Sequence, residues 1–179
     1  MTVELGTVRE GETISTRIRT AISQDLPTLL AFEQGIVSAE RPFDETLRPD
    51  PISYYDIEEL MASEDAEVVV AETDGRLIGS GYAVKKASRH YVTPPFHAYI
   101  GFLYVDPAYR GMGVNQKVLD ALFEWASERG LFEVHLTVYP ANTPAIRAYE
   151  KAGFDPYLLE MRVNLEGGNP GRAREATFS

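Results

Sequence analysis

The spacing of hydrophobic positions switches between two periods along the chain, and the switches mark out its elements. From Ile14 to Ile22 one face reads Ile14, Thr16, Ile18, Thr20, Ile22, which predicts a first strand. Ser23 or Asp25 can then cap a helix that tolerates Pro27 in its first turn and buries a stripe of Leu29, Phe32 and Ile36. The stretch RPFDETLRPDP is a loop by composition. Residues 53–61 predict a short second helix with Asp56, Glu58 and Glu59 exposed. Glu67 to Ala71 and Leu77 to Val84 are two β-rich runs around Asp74-Gly75, a hairpin signal. A polar loop, KASRHYVTPPFH, leads into AYIGFLYV. This run from Ala98 to Val105 is aromatic and β-branched, stops at Asp106-Pro107, and predicts a buried central strand.

Downstream, Gly113 to Arg129 sets Val114, Val118, Leu122 and Trp125 at helical spacing, with Gly130 as the stop. Val134, Leu136 and Val138 alternate as a strand. Thr143-Pro144 opens a short helix that ends near Gly153, and Tyr157 to Leu165 predicts a last strand. Residues 166–179 hold Gly, Pro and no apolar pattern, and are expected to be a flexible tail. The order β-α-α-β-β-β-α-β-α-β implies an α/β sandwich built on a mixed sheet.

Composition narrows the chemistry. The 179 residues fit one domain. Without cysteine the chain has no disulfide, no thiolate metal ligand and no cysteine nucleophile. Its three histidines are scattered, so no metal site is expected. A net charge of −10 argues against nucleic acid as a partner and suits cationic ones such as amines, though acidity also serves solubility. No apolar run is long enough for a bilayer. The opening MTVELGTVREGE lacks the apolar core of a signal peptide, so the expected location is cytoplasmic.

The segment YVDPAYRGMGVNQKVLDALFEW carries the candidate chemistry: a buried strand, a tight turn with Arg110, Gly111 and Gly113, and an immediate helix. The first N–H groups of a helix lack internal partners and sit at its positive end. Glycines let an anion reach them, and Arg110 adds fixed charge, so the turn is a candidate phosphate site. It lacks the Gly-Lys-Ser/Thr of a P-loop and the full G-x-G-x-x-G of a dinucleotide fold.

This segment resembles motif A, Q/R-x-x-G-x-G/A, of the GNAT superfamily of N-acetyltransferases. Arg110 and Gly113 match, and Asn115 stands where Gly or Ala is usual. A second segment, NTPAIRAYEKAGF, resembles the GNAT pattern N-x-x-A-x-x-x-Y-x-x-x-G-F through Asn142, Ala145, Tyr149, Gly153 and Phe154. The resemblance implies a single GNAT domain over residues 1–165, with an α/β (α+β) fold. Its sheet would be mixed, mostly antiparallel and splayed at the central strands, with helices on its flanks. It implies that acetyl-CoA is the co-substrate. The backbone N–H groups of Gly111, Met112, Gly113, Val114 and Asn115, with Arg110, would hold the pyrophosphate. The backbone of Leu103, Tyr104 and Val105 would pair with the pantetheine arm, which Asn142 would also contact. Tyr149 would give a proton to the departing sulfur, which a phenol with pKa near 10 can do at neutral pH.

The family's usual carboxylate on the central strand is missing. That neighbourhood reads Ile100-Gly101-Phe102. Either the base comes from elsewhere, with Glu33, Tyr99, Tyr104 and His97 as candidates, or a water relay reaches solvent, and a catalytically silent acyl-CoA-binding module is the competing reading. The resemblance places the acceptor site between residues 34–56 and 86–96. Glu40, Asp44, Glu45, Asp50, Tyr54, Tyr55 and Asp56 there would suit a cationic amine, either a small molecule or a peptide. Exposed strands in the C-terminal half leave room for a homodimer.

Overall fold

The computed structural model describes residues 15–165. Strands β1 (Arg17–Thr20), β2 (Ala66–Thr73), β3 (Arg76–Ala87), β4 (Phe96–Val105) and β5 (Val134–His135) form one sheet in the order β1-β2-β3-β4-β5. Neighbours run antiparallel except β4 and β5, which are parallel. Helices are α1 (Leu26–Glu40), α2 (Ile57–Ala62), α3 (Val114–Glu128) and α4 (Thr143–Lys151). This is the mixed α/β architecture expected from the element order, and the mostly antiparallel sheet is the one the family resemblance implies.

Both faces of β2 are apolar because both are covered. Val68 and Val70 pack with Leu29, Phe32, Ile36 and Ile57 of α1 and α2, and Val69 and Ala71 pack with Val114, Val118 and Leu122 of α3. The expected stripe of α1 is therefore buried, and so is that of α3, Trp125 included. The hairpin turns as its Asp-Gly predicts. Asp74 and Gly75 both have positive φ (48° and 73°), the pairing a two-residue turn requires between twisted strands.

Several element boundaries differ from the sequence expectation, each for a local reason. Ile14 lies outside the described residues, as does the 166–179 segment expected to be a tail. Asp25 stands at the N-cap of α1 but makes no side-chain cap. Its carboxylate is taken by Arg19 (2.7 and 3.0 Å) and by the Ile22 N–H (2.8 Å). The second helix starts only at Ile57, capped by Asp56 accepting from the Glu59 N–H. The three residues before Asp56 are drawn instead onto the carboxylate of Glu33. The loop after β3 is shorter than expected, because β3 runs to Ala87 and β4 starts at Phe96. The expected strand at Tyr157–Leu165 is absent. β5 has only the residues Val134 and His135, which leaves too little edge for another strand to pair with. Tyr157 instead stacks near His135 (centroids 5.5 Å), and Arg162 binds Asp44 (2.9 Å) and Thr46 (3.1 Å).

A bulge in β4 sets the shape of the site. Ser80 faces Tyr104 and Tyr82 faces Gly101, so Gly81 opposes two residues, Phe102 and Leu103. Phe102 adopts φ 56°, rare for a bulky side chain, and its carbonyl accepts from Ser80 Oγ (3.2 Å). The extra residue reverses the strand's alternation. Ile100 points to the α3 face, whereas Phe102 points to the α1 face. β4 pairs with β5 only through Ala98 and Tyr99. Beyond Tyr99 that edge of β4 has no strand partner among the described residues, and the two strands splay apart.

Candidate active site

Three structural pieces converge on the splay. The first is the free edge of β4. Leu103 and Val105 direct side chains to the α3 side, and Tyr104 directs its ring to α1, stacked on Phe32 at 4.4 Å. All three keep their backbone at the edge. One carbonyl there, that of Val105, accepts from Arg110 Nε (3.2 Å). Arg110 thus folds back onto the strand end as well as standing at the turn.

The second piece is the turn into α3. Gly113 is the N-cap in the left-handed region (φ 77°), and Gly111 has φ 79°. A Cβ on either would meet no protein atom within 4 Å. The positive φ alone therefore makes glycine the fitting residue within the fold, and the space above the turn is open. The first backbone bond into the helix is Lys117 N–H to the Gly113 carbonyl (3.2 Å). The N–H groups of Gly111, Met112, Gly113, Val114, Asn115 and Gln116 have no acceptor among the described residues. Val114 contributes its backbone only, since its side chain is buried in the core. Asn115, half-buried in the first turn, leaves its N–H available despite its side chain.

The third piece is α4. Asn142 is the N-cap of the helix that Thr143-Pro144 opens. Its Oδ1 accepts from the Ala145 N–H at 3.4 Å, which leaves the side-chain NH₂ free to donate outward. Tyr149 packs with the α3-side core and edge-on to Phe154 (6.1 Å). Burial, then the charges of Glu40 and Tyr99, push its pKa up to about 12. Tyr149 therefore belongs to the α3 face yet feels groups from the α1 face, which is where the splay opens the sheet.

The candidate bases separate by what holds them. Glu33 is 1% exposed and accepts from the N–H groups of Tyr54 (2.7 Å) and Tyr55 (2.8 Å) and from Ser53 Oγ (3.0 Å). These bonds commit it to fixing the 53–55 segment. Tyr104 is locked between Phe32 and Gly35, where a Cβ would stand 2.6 Å from its ring. Tyr99 bonds Thr137 Oγ1 (2.6 Å) across the splay and carries Lys86 over its ring at 3.7 Å. His97 sits at the opposite end of β4, roughly 16 Å from Phe102 at about 3.3 Å per residue. It meets Ser88 Oγ (3.1 Å) and stacks on His135 (4.3 Å), and burial lowers its pKa. His135 packs there between His97 and Tyr157.

One group escaped the sequence reading as a base: Glu40, the last residue of α1. It was visible only as one acidic residue among several. No local signal separates it from Glu45 or Asp50, because its surroundings come from elements distant in sequence.

A cavity of about 500 Å³ between α1 and the 53–58 segment is lined by Leu26, Leu30, Tyr54 and Tyr55. None of its lining residues belongs to the α3 turn or to β4. Among the described residues no group of three or more His, Asp or Glu is placed to hold a metal ion, and no helix is long and apolar enough to cross a membrane.

Comparison with known proteins agrees with this geometry. Residues 34–154 match the model of the Acetyltransferase (GNAT) family. The N-alpha-acetyltransferase RimI of Mycobacterium tuberculosis is 36% identical over 108 residues, 60% of this chain and 64% of that protein. A mycothiol acetyltransferase of Thermomonospora curvata is 32% identical over 96 residues, 54% of this chain and 30% of that protein. The matched part therefore spans less than two thirds of either relative. Among solved structures, a predicted acetyltransferase with acetyl-CoA from Clostridium acetobutylicum aligns with TM-score 0.62 at 21% identity, over 84% of this chain and 96% of that one. Glucosamine-6-phosphate N-acetyltransferase from Arabidopsis thaliana aligns with TM-score 0.63 at 18% identity, over 85% and 99%. At such identities the structures speak for the fold. With the family model covering both motifs and the splayed sheet between them, the chain belongs to the acetyltransferase (GNAT) family.

Proposed function

We propose that the protein is an N-acetyltransferase that moves the acetyl group of acetyl-CoA to a primary amine, with Tyr149 as general acid. The observation that carries this is the convergence of the unpaired β4 edge, the open glycine turn and Tyr149 at one splay. The free N–H groups from Gly111 to Asn115, with Arg110, suit a pyrophosphate. The edge at Leu103, Tyr104 and Val105 suits the amides of a pantetheine arm, with Asn142 as a further donor. Acetyl-CoA supplies an activated thioester carbonyl, and this chain supplies position and protons. Held with its proton at neutral pH, Tyr149 is set to donate to a departing thiolate rather than to act as a base.

The relatives are named for different acceptors, one an N-alpha-acetyltransferase and one a mycothiol acetyltransferase. An amine acceptor, small or peptide-borne, is the common ground. The test is thiol release from acetyl-CoA over a panel of primary amines and amino-terminal peptides. Acceleration by an amine supports the reading. Coenzyme A binding without turnover on any amine would favour the silent binding module.

A further inference from the structure

The acidic residues around the acceptor end are mostly committed. Asp44 accepts from Thr46 Oγ1 (2.6 Å), the Thr46 N–H (2.9 Å) and Arg162 (2.9 Å), which together hold it well below the usual carboxylate range. Asp50 pairs with Arg41, Asp56 caps α2, and Glu33 holds the 53–55 backbone. Glu40 differs. It is half-buried and has no ion-pair partner among the described residues.

Four tyrosines lie within electrostatic reach of Glu40. The Tyr54 hydroxyl is buried and stops short of full hydrogen-bond geometry with any group. Glu40 is the acidic group whose charge it feels and whose carboxylate it in turn favours. Tyr55, Tyr139 and Tyr149 also feel the charge of Glu40. The Tyr55 ring stands against Tyr54 (5.9 Å), Tyr82 (5.5 Å) and Phe102 (5.4 Å), so this wall continues to the β4 bulge. A half-buried carboxylate without a counter-ion, beside neutral phenols, is complementary to an ammonium group. Tyr82 also fills the space where a side chain at position 101 would project.

We infer that Glu40 holds the acceptor's ammonium group among these tyrosines and takes its proton, so that the true acceptor is an alkyl amine that arrives charged. This rests on the acetyl-transfer reading above. Burial raises the pKa of Glu40, which brings it closer to the range in which a base works at neutral pH. The proton balance closes. Glu40 accepts one proton from the ammonium and passes it to solvent. The amine nitrogen bonds to the thioester carbon, the C–S bond breaks, and Tyr149 protonates the sulfur. The second proton lost by the nitrogen restores Tyr149 through water.

The test compares Glu40→Gln with the wild type on the fastest alkyl amine of the panel and on methoxyamine, a nitrogen nucleophile that is neutral at pH 7. The expected result is a loss of about a hundredfold or more in kcat/KM on the alkyl amine, with its acid limb abolished. On methoxyamine the loss should be under about tenfold, because no proton need be removed before attack. Acetyl-CoA affinity by calorimetry should not change, and Glu40→Asp should recover part of the rate. An equal loss on both nucleophiles, or no loss, overturns the assignment of Glu40 and leaves the acetyl-transfer reading standing. A wild type that binds acetyl-CoA and accelerates thiol release with no amine overturns both.

Discussion

The hydroxyl of Tyr82 lies 2.6 Å from where a Cβ on Gly101 would stand, and two ring carbons lie within 2.8 Å of the same point. Tyr82 is 6% exposed, so its ring has little room to move aside. The space a central-strand carboxylate would take is thus filled from β3. Gly101→Ala is expected to lower stability by about 1–3 kcal/mol through overpacking. Urea denaturation checks this, and an unchanged midpoint would mean that the Tyr82 ring yields freely.

Tyr149→Phe is expected to reduce kcat by about a hundredfold or more while coenzyme A still binds. The wild-type acid should also persist at high pH. With Tyr149 pushed up to about 12, its proton stays on through the neutral and mildly alkaline range. A fall in kcat with rising pH near about pH 8 would place the acid elsewhere, since an unshifted phenol already titrates near 10.

Gly113 has two jobs that one substitution separates. In Gly113→Val the left-handed φ of 77° costs about 1–2 kcal/mol of stability. No protein atom opposes the new side chain, so the fold should survive. The side chain would instead occupy the approach to the helix N–H groups, and coenzyme A affinity should fall more than about tenfold. Calorimetry on the variant, beside a melt, reads both effects. Tight binding with a lowered melt would detach the turn from phosphate binding.

Glu33→Ala leaves the N–H groups of Tyr54 and Tyr55 without their acceptor. The expected loss is about 2–5 kcal/mol, the cost of buried donors left unmade. Because those residues line the acceptor side, KM for the amine should rise while coenzyme A affinity holds. Glu33→Gln keeps one acceptor oxygen and should show a smaller version of both effects. If Glu33→Gln instead abolished turnover with stability and KM unchanged, Glu33 would be the base.

The Arg19–Asp25 pair sets an acid-side limit on stability. Hydrogen bonds from Arg19 lower the Asp25 pKa below its ordinary value of 3.8, against its partial burial. A carboxyl whose folded pKa is depressed contributes stability above its unfolded pKa and loses that contribution as pH falls through the folded value. Asp25→Asn should therefore cost about 1–3 kcal/mol at neutral pH and flatten the fall in stability below about pH 4. Denaturation midpoints at neutral pH and at about pH 3 test the sign.

Where local pattern and burial coincide, the elements were legible. The α1 stripe of Leu29, Phe32 and Ile36 and the α3 stripe of Val114, Val118 and Leu122 face the two sides of the sheet as their spacing requires. The Asp74-Gly75 turn follows from the same local logic. Tyr157–Leu165 shows where pattern fails. Alternation makes a strand only if another strand offers its edge, and β5 offers almost none. Leu159, Met161 and Val163 are accordingly exposed.

By itself, then, the sequence determined the glycine turn, the helix that follows it, the α4 motif with Asn142 and Tyr149, and the family to which these point. Each is a short stretch whose backbone conformation depends on neighbours in the chain. Tertiary structure alone decided the bulge at Phe102 and the filling of the space beside Gly101 by Tyr82. It also decided the commitment of Glu33 to the 53–55 backbone and the isolation of Glu40 among tyrosines. These depend on which side chains from β3, α1, α4 and the loops reach one point in space. Charge and burial act across space and not along the chain, so one glutamate in α1 becomes a backbone anchor while another is half-buried without an ion-pair partner among the described residues.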